Sequence, residues 1–190
     1  MFSKLFRRNV TIEQQLANVS ECGVTLVAGT TIDALFEEWS REDFASDPYR
    51  LLLIAMGSDE PTLSENIWHF DTECIEDHGD YVRIAERLRL LADGALPLKD
   101  IEDVVDIEQG EASLSFTLDG DAYTWKLEVE DDWVDPNVFT RFVELLEERD
   151  TDRRFTLIDL DGQDCLIGCA TDEQRQKLAD VTGLNVGWLT

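Results

Sequence analysis

The sequence contains no apolar run long enough to cross a bilayer. Its longest, Leu51 to Met56, falls far short of the roughly 20 residues that a spanning helix needs, so no membrane span is expected. The four cysteines, Cys22, Cys74, Cys165 and Cys169, are dispersed and form no C-x-x-C pair. This argues against a zinc site and a disulfide framework, and reduced, mostly buried thiols are expected instead. There are only two histidines, and no glycine-rich phosphate loop, G-x-S-x-G elbow or H-E-x-x-H helix. The usual sequence signatures of nucleophilic, phosphoryl-transfer and zinc-hydrolase chemistry are therefore missing. Carboxylates are so numerous that no glycosidase-type pair stands out among them.

Lysine is equally scarce. Lys4, Lys99, Lys126 and Lys177 are the only four, and 16 basic residues in all face 42 acidic ones for a net charge of −26. Such a field repels nucleic acid and anionic membranes and attracts cations and basic proteins. No nucleic-acid partner is expected, and a basic protein is. Acid excess with little lysine also resembles adaptation to high salt, so a regulatory domain whose acidity merely suits its solvent is an alternative reading.

Residues 1–9 alternate Phe2, Leu5 and Phe6 with Lys4, Arg7 and Arg8. They lack the sustained apolar stretch of a secretory leader. A flexible basic N-terminus and a cytoplasmic location are the expectation, with contact to an anionic surface as the alternative. Asn9 and Asn18 match the glycosylation pattern by chance on this reading.

Residues 10–190 read as a single α+β domain. A change of texture over residues 57–66 allows a subdivision into a helical segment, 10–57, and an α+β core, 66–190. In the helical segment Thr11 and Gln14 form a capping box, Ile12, Leu16 and Val19 a stripe, and Gly23 a stop. Ile32, Leu35, Phe36 and Trp39 fall at helical spacing on one face. Asp47 and Pro48 can open a third helix through Leu51 to Met56, with a buried strand as the rival assignment.

Beyond residue 66, Trp68, Phe70, Thr72 and Cys74 alternate with His69, Asp71 and Glu73, as in a strand. A helix follows, with Tyr81, Ile84, Leu88 and Leu91 inward, Arg83, Glu86, Arg87 and Arg89 outward, and Gly94 as its stop. Asp119-Gly120 predicts a two-residue hairpin that sets Leu118 opposite Asp121, Phe116 opposite Tyr123, Leu114 opposite Trp125 and Ala112 opposite Leu127. Val104 to Glu108 joins it as a third meander strand.

Asp135-Pro136 opens a helix whose inner face is Val138, Phe139, Phe142, Val143 and Leu146. A second hairpin, Phe155–Leu160 and Gln163–Cys169 about Asp161-Gly162, is apolar on both faces and should lie centrally. Thr171 and Gln174 cap a final helix that ends at Gly183. The fold class is α+β: an antiparallel meander sheet with both hairpins, covered by helices, behind a helical N-terminal segment.

Three groups of residues are candidates for chemistry. In Glu128, Glu130, Asp131, Asp132, Trp133 and Asp135, an indole stands among carboxylates, the pattern of a hot spot for a basic partner. His69, Asp71 and Glu73 share one strand face and offer imidazole and carboxylate to a divalent cation, which would need another ligand from a neighbouring strand. They also define the alternative of a metal-binding or hydrolytic enzyme. Asp159, Asp161 and Asp164 crowd one turn, where the predicted register puts Asp159 opposite Asp164. That repulsion calls for a wider loop, a cation or a basic side chain. The leading expectation is a non-enzymatic, cofactor-free acidic protein, an inhibitor or immunity-type neutraliser that holds a basic protein.

Overall fold

A computed structural model describes residues 10–150 and 152–190 of the chain. The basic segment 1–9, with its expected flexibility and surface contact, lies outside the described residues. The architecture is α+β, with two antiparallel sheets and six α-helices among the described residues.

The N-terminal segment is helical. Helix α1 (Ile12–Ser20) starts in the Thr11–Gln14 capping box. Its stripe includes a polar member: Gln15 is fully buried because its amide donates to the carbonyls of Val10 and Phe44 and accepts the Tyr49 N–H. The stretch expected to be a second helix forms only a single 3-10 segment, Ile32–Phe36, which buries Leu35 and leaves Trp39 37% exposed. Helices α2 (Arg41–Ser46) and α3 (Arg50–Gly57) follow. Leu51 to Met56 is thus helix and not strand, although it starts later than Asp47-Pro48 suggested, behind Tyr49 at φ 67°.

Strand β1 (Ile67–Asp71) comes next and is shorter than the alternation to Cys74 implied. Gly57 lets α3 run close against it, since a Cβ at this position would sit 2.5 Å from the His69 nitrogen. Helix α4 (Asp80–Leu91) buries the predicted stripe and also Arg87, which had been assigned to the wet face. Arg87 Nε lies 3.1 Å from Asp59 Oδ1, and its guanidinium lies 5.9 Å from the Trp68 ring centroid. An opposite charge and an indole face offset what burial of the cation costs.

Strands β2 (Leu98–Asp106), β3 (Glu111–Leu118) and β4 (Asp121–Leu127) form a three-stranded meander. β2 starts earlier than Val104 and ends before Glu108. The pairing of β3 with β4 has the predicted register at every position from Leu118↔Asp121 to Ala112↔Leu127. Asp119 and Gly120 both have positive φ, 54° and 94°, as the tight hairpin turn demands.

Helix α5 (Asn137–Glu147) buries Val138, Phe139, Phe142, Val143 and Leu146. The remaining elements are β5 (Arg153–Asp159), β6 (Asp164–Thr171), α6 (Asp172–Thr182) and β7 (Gly187–Trp188). The four-stranded sheet has the order β1-β6-β5-β7, so the second hairpin holds the two central strands and the two hairpins belong to different sheets.

Alternate residues of β1, β5 and β6 enter two separate cores. Trp68, Phe70, Phe155 and Ile167 pack with α4, α5 and the meander. Ile67, Ile158 and Leu166 pack with α1, α2, α3 and Leu178 of α6. The sheet is therefore covered on both faces, which explains why its strands carry apolar residues at successive positions. No described helix is long and apolar enough to cross a membrane.

Candidate functional site

After β4 the chain makes a tight turn in which the Trp133 N–H donates to the Glu130 carbonyl at 3.1 Å and Asp131 has φ 55°. Aspartate tolerates that left-handed backbone better than most side chains, which suits it to the position. The turn is fastened to the stretch that follows β1. The Ile75 N–H donates to the Asp132 carbonyl and the Val134 N–H to the Thr72 carbonyl, each at 2.9 Å. Trp133 forms isolated bridges with Glu73 and Glu130.

Asp135 holds both ends of this loop. Its carboxylate accepts the Glu128 N–H at 2.9 Å and, through its other oxygen, the Asn137 N–H and side-chain amide at 2.9 and 2.8 Å. Its own N–H donates to the Tyr81 hydroxyl at 3.0 Å. Burial raises the Tyr81 pKa, which keeps that hydroxyl neutral. Only 4% of Asp135 is exposed, so it orders the loop from inside and presents nothing to a partner. This corrects its place among the surface carboxylates.

The other members of the group do reach solvent. Trp133 is 42% exposed, Glu128, Glu130 and Asp131 are exposed, and Asp132 is half-buried. The indole borders a groove of about 470 Å³ lined by Thr72, Glu130, Trp133, Val134, Pro136 and Phe139. Val134 and Phe139 belong to the core under α5, so the apolar floor of the groove is the outer surface of that core. Phe139 packs edge-on against Phe70 with ring centroids 5.2 Å apart, which ties the floor to β1. Thr72 was not legible as a lining residue, because only the packing of the stretch after β1 against this turn brings it to Trp133, and Pro136 and Phe139, close in sequence, were read as a helix start and a core face.

The two other carboxylate groups meet in part. Pairing of β1 with β6 sets Asp71 opposite Asp164, and His69 Nε2 lies 3.4 Å from Asp164 Oδ1. Glu73 lies beyond the end of β1, beside Trp133, and its N–H donates to Asp71 Oδ1 at 2.9 Å. Asp159 pairs with Cys165, not Asp164, and accepts the Asp161 N–H at 2.9 Å.

The loop is wider than two residues, since the Leu160 N–H closes it on the Asp164 carbonyl and leaves Asp161, Gly162 and Gln163 in the turn. The like-charge pair therefore falls on Asp71 and Asp164, with His69 beside one and the Gln163 amide 3.4 Å from the other. Among the described residues, no three His, Cys, Asp or Glu side chains converge on a point that could hold a metal ion.

Burial pushes the thiol of Cys165 up to about 12 and those of Cys74 and Cys169 up to about 11. They stay protonated at neutral pH and make poor nucleophiles. No family model matches the chain, and it is similar to no curated protein and no solved structure at a significant level.

Proposed function

We propose that this chain is a non-enzymatic binding protein that holds a basic protein partner against the Trp133 groove, as an inhibitor or immunity-type neutraliser does. The observation that carries the reading is a 42% exposed indole at the edge of an apolar-floored groove, with Glu128, Glu130 and Asp131 exposed around it. Aromatic anchors set in grooves and ringed by polar groups are the usual centres of binding energy. The net charge of −26 supplies the complementary long-range term, steering a basic protein toward the surface before contact.

These two contributions separate kinetically. Charge acts on the association rate and the indole on the dissociation rate. The test is affinity isolation on the full chain at about 0.05 M and about 0.5 M salt, followed by binding kinetics with the purified partner. Asp131→Lys with Asp132→Lys slows association about tenfold or more, and raised salt does the same to the wild type. Trp133→Ala speeds dissociation by about 30-fold, equivalent to roughly 2 kcal/mol. A complex indifferent to both sets of substitutions sinks the proposal.

A further inference from the structure

The five tryptophans of this chain fall into two classes. Three lie under arginines supplied by the chain itself: Arg87 at 5.9 Å from the Trp68 centroid, Arg141 at 5.5 Å from Trp125, and Arg154 and Arg175 at 4.8 and 4.9 Å from Trp188. The other two, Trp39 and Trp133, are the exposed ones, and no described arginine lies over either.

Most of the filled sites share a third component, a carboxylate on the guanidinium. Asp59 meets Arg87 at 3.1 Å, Glu147 meets Arg154 at 2.7 Å, and Asp172 meets Arg175 at 2.8 Å. The repeated unit is thus an indole, a guanidinium and an acid. At Trp133 an indole and an acid, Glu130, border the groove with the same two chemistries, and no described arginine of the chain lies over the ring.

We infer that the Trp133 groove receives an arginine side chain of the basic partner, a reading that rests on the function proposed above and specifies what the site recognises. The floor of Val134, Pro136 and Phe139 takes the apolar stem. The planar guanidinium stacks on the indole and faces Glu130. Lysine fits less well, because its ammonium is compact, strongly hydrated and unable to stack. Size separates Trp133 from Trp39: the hollow beside Trp39, lined by Glu37, Glu38 and Glu60 among others, is about 40 Å³ against about 470 Å³ at Trp133. The smaller one has room for about a water or two and not for a long side chain.

The experiment uses the full-length chain labelled with ¹⁵N and follows its five indole N–H resonances during titration with three capped peptides. One alternates glycine with arginine, and the others replace arginine by lysine or by citrulline. The expected result is a shift of the Trp133 resonance with the arginine peptide, an affinity roughly threefold higher than for the lysine peptide, and no binding of the neutral citrulline peptide. Trp133→Leu reduces the arginine affinity to that of lysine and leaves the lysine affinity unchanged, while Trp133→Phe retains part of the preference. The remaining four indole signals report that each variant is folded.

Equal affinity for arginine and lysine peptides in the wild type overturns the arginine assignment and leaves the basic-partner reading standing. So does a preference for arginine that survives in Trp133→Leu. Failure of both cationic peptides to bind at about 0.02 M salt, where screening is weakest, overturns the two together.

Discussion

The hairpins at Asp119-Gly120 and Asp161-Gly162 turn on the same dipeptide, yet the first closes with two residues and the second with three, Gln163 being the addition. In the meander, β3 and β4 have one buried and one solvated face. Slipping the register by one residue would drive Leu114 and Phe116 into water and Ser113 and Ser115 into the core. The strand pattern and the turn agree, and nothing outside the hairpin is needed to choose between registers.

The second hairpin lies in the middle of the other sheet, and both of its faces are buried, Phe155 and Ile167 in one core and Ile158 and Leu166 in the other. Hydrophobicity there penalises a slip much less. The choice passes to neighbours: the Gln163 carbonyl accepts both the N–H and the hydroxyl of Thr72, at 3.0 and 2.9 Å, and that contact holds the extra residue in place. It also parts Asp159 from Asp164 and brings Asp164 to His69. A turn dipeptide decides its own loop length where the flanking strands are amphipathic, and yields to tertiary contacts where they are not.

The largest effect should come from attacking the self-sufficient hairpin. Phe116 is 2% exposed and packs against Tyr123, Trp125 and Phe142, with centroids 4.9 to 5.6 Å apart. Phe116→Ala is expected to cost about 3 to 5 kcal/mol in urea unfolding. A loss below about 1 kcal/mol would mean that the meander does not rely on that aromatic layer.

A middling effect sharpens the contrast. Deletion of Gln163 forces a two-residue loop on the central hairpin with Leu160 still opposite Asp164, and removes the Thr72 contacts, at a cost of about 2 kcal/mol. If stability is unchanged, the third residue is not held by β1 and the explanation offered for it is wrong.

The smallest effect at neutral pH concerns Cys165, which faces Asp159 across that hairpin. Its thiol pKa rises from 9.0 to about 12 on folding, chiefly through burial and secondarily through Asp159. An acid whose pKa is raised in the folded state contributes stability that is complete below the unfolded value and is lost as pH climbs toward the folded one. Wild-type stability should therefore decline between about pH 9 and 12 more steeply than that of Cys165→Ala. At pH 8 iodoacetamide should modify Cys165 at least about 100-fold more slowly in the native chain than in urea. Equal reactivity in the two states would contradict the burial of that thiol.

How much could be read in advance follows the same division. Helix ends were legible at the capping boxes of Thr11 and Thr171 and the glycine stop at Gly183, whereas α2, which also starts in a capping box at Ser40, was not anticipated and Asp47-Pro48 did not open α3. Trp39 and Arg87 were misplaced because periodicity assumes a regular helix with one wet side. The segment before Trp39 is a short 3-10 turn, and the outer side of α4 at Arg87 is roofed by the 57–67 connection.

For the candidate site, the indole and its acidic neighbours were visible as a sequence cluster, while the interior task of Asp135 was not. A buried carboxylate that accepts three backbone or amide N–H groups looks the same in sequence as one in solvent. Glu73, read as a partner of His69, ends up beside Trp133 because β1 stops at Asp71.

By itself the sequence determined the elements with short-range causes: the α+β class, the caps at Thr11 and Thr171, the register of the β3–β4 hairpin and the net charge of −26. These depend on periodicity, turn stereochemistry and composition, all of which act over a few residues or over the chain as a sum. Tertiary structure alone decided that the strands divide into two sheets with two cores, that the central loop is one residue longer than its turn dipeptide suggests, and that Thr72, Pro136 and Phe139 assemble a groove under Trp133. Each depends on contacts between residues far apart in the sequence, such as Thr72 with Gln163 and with Val134, and such contacts are selected by packing and buried hydrogen bonds that no local pattern encodes.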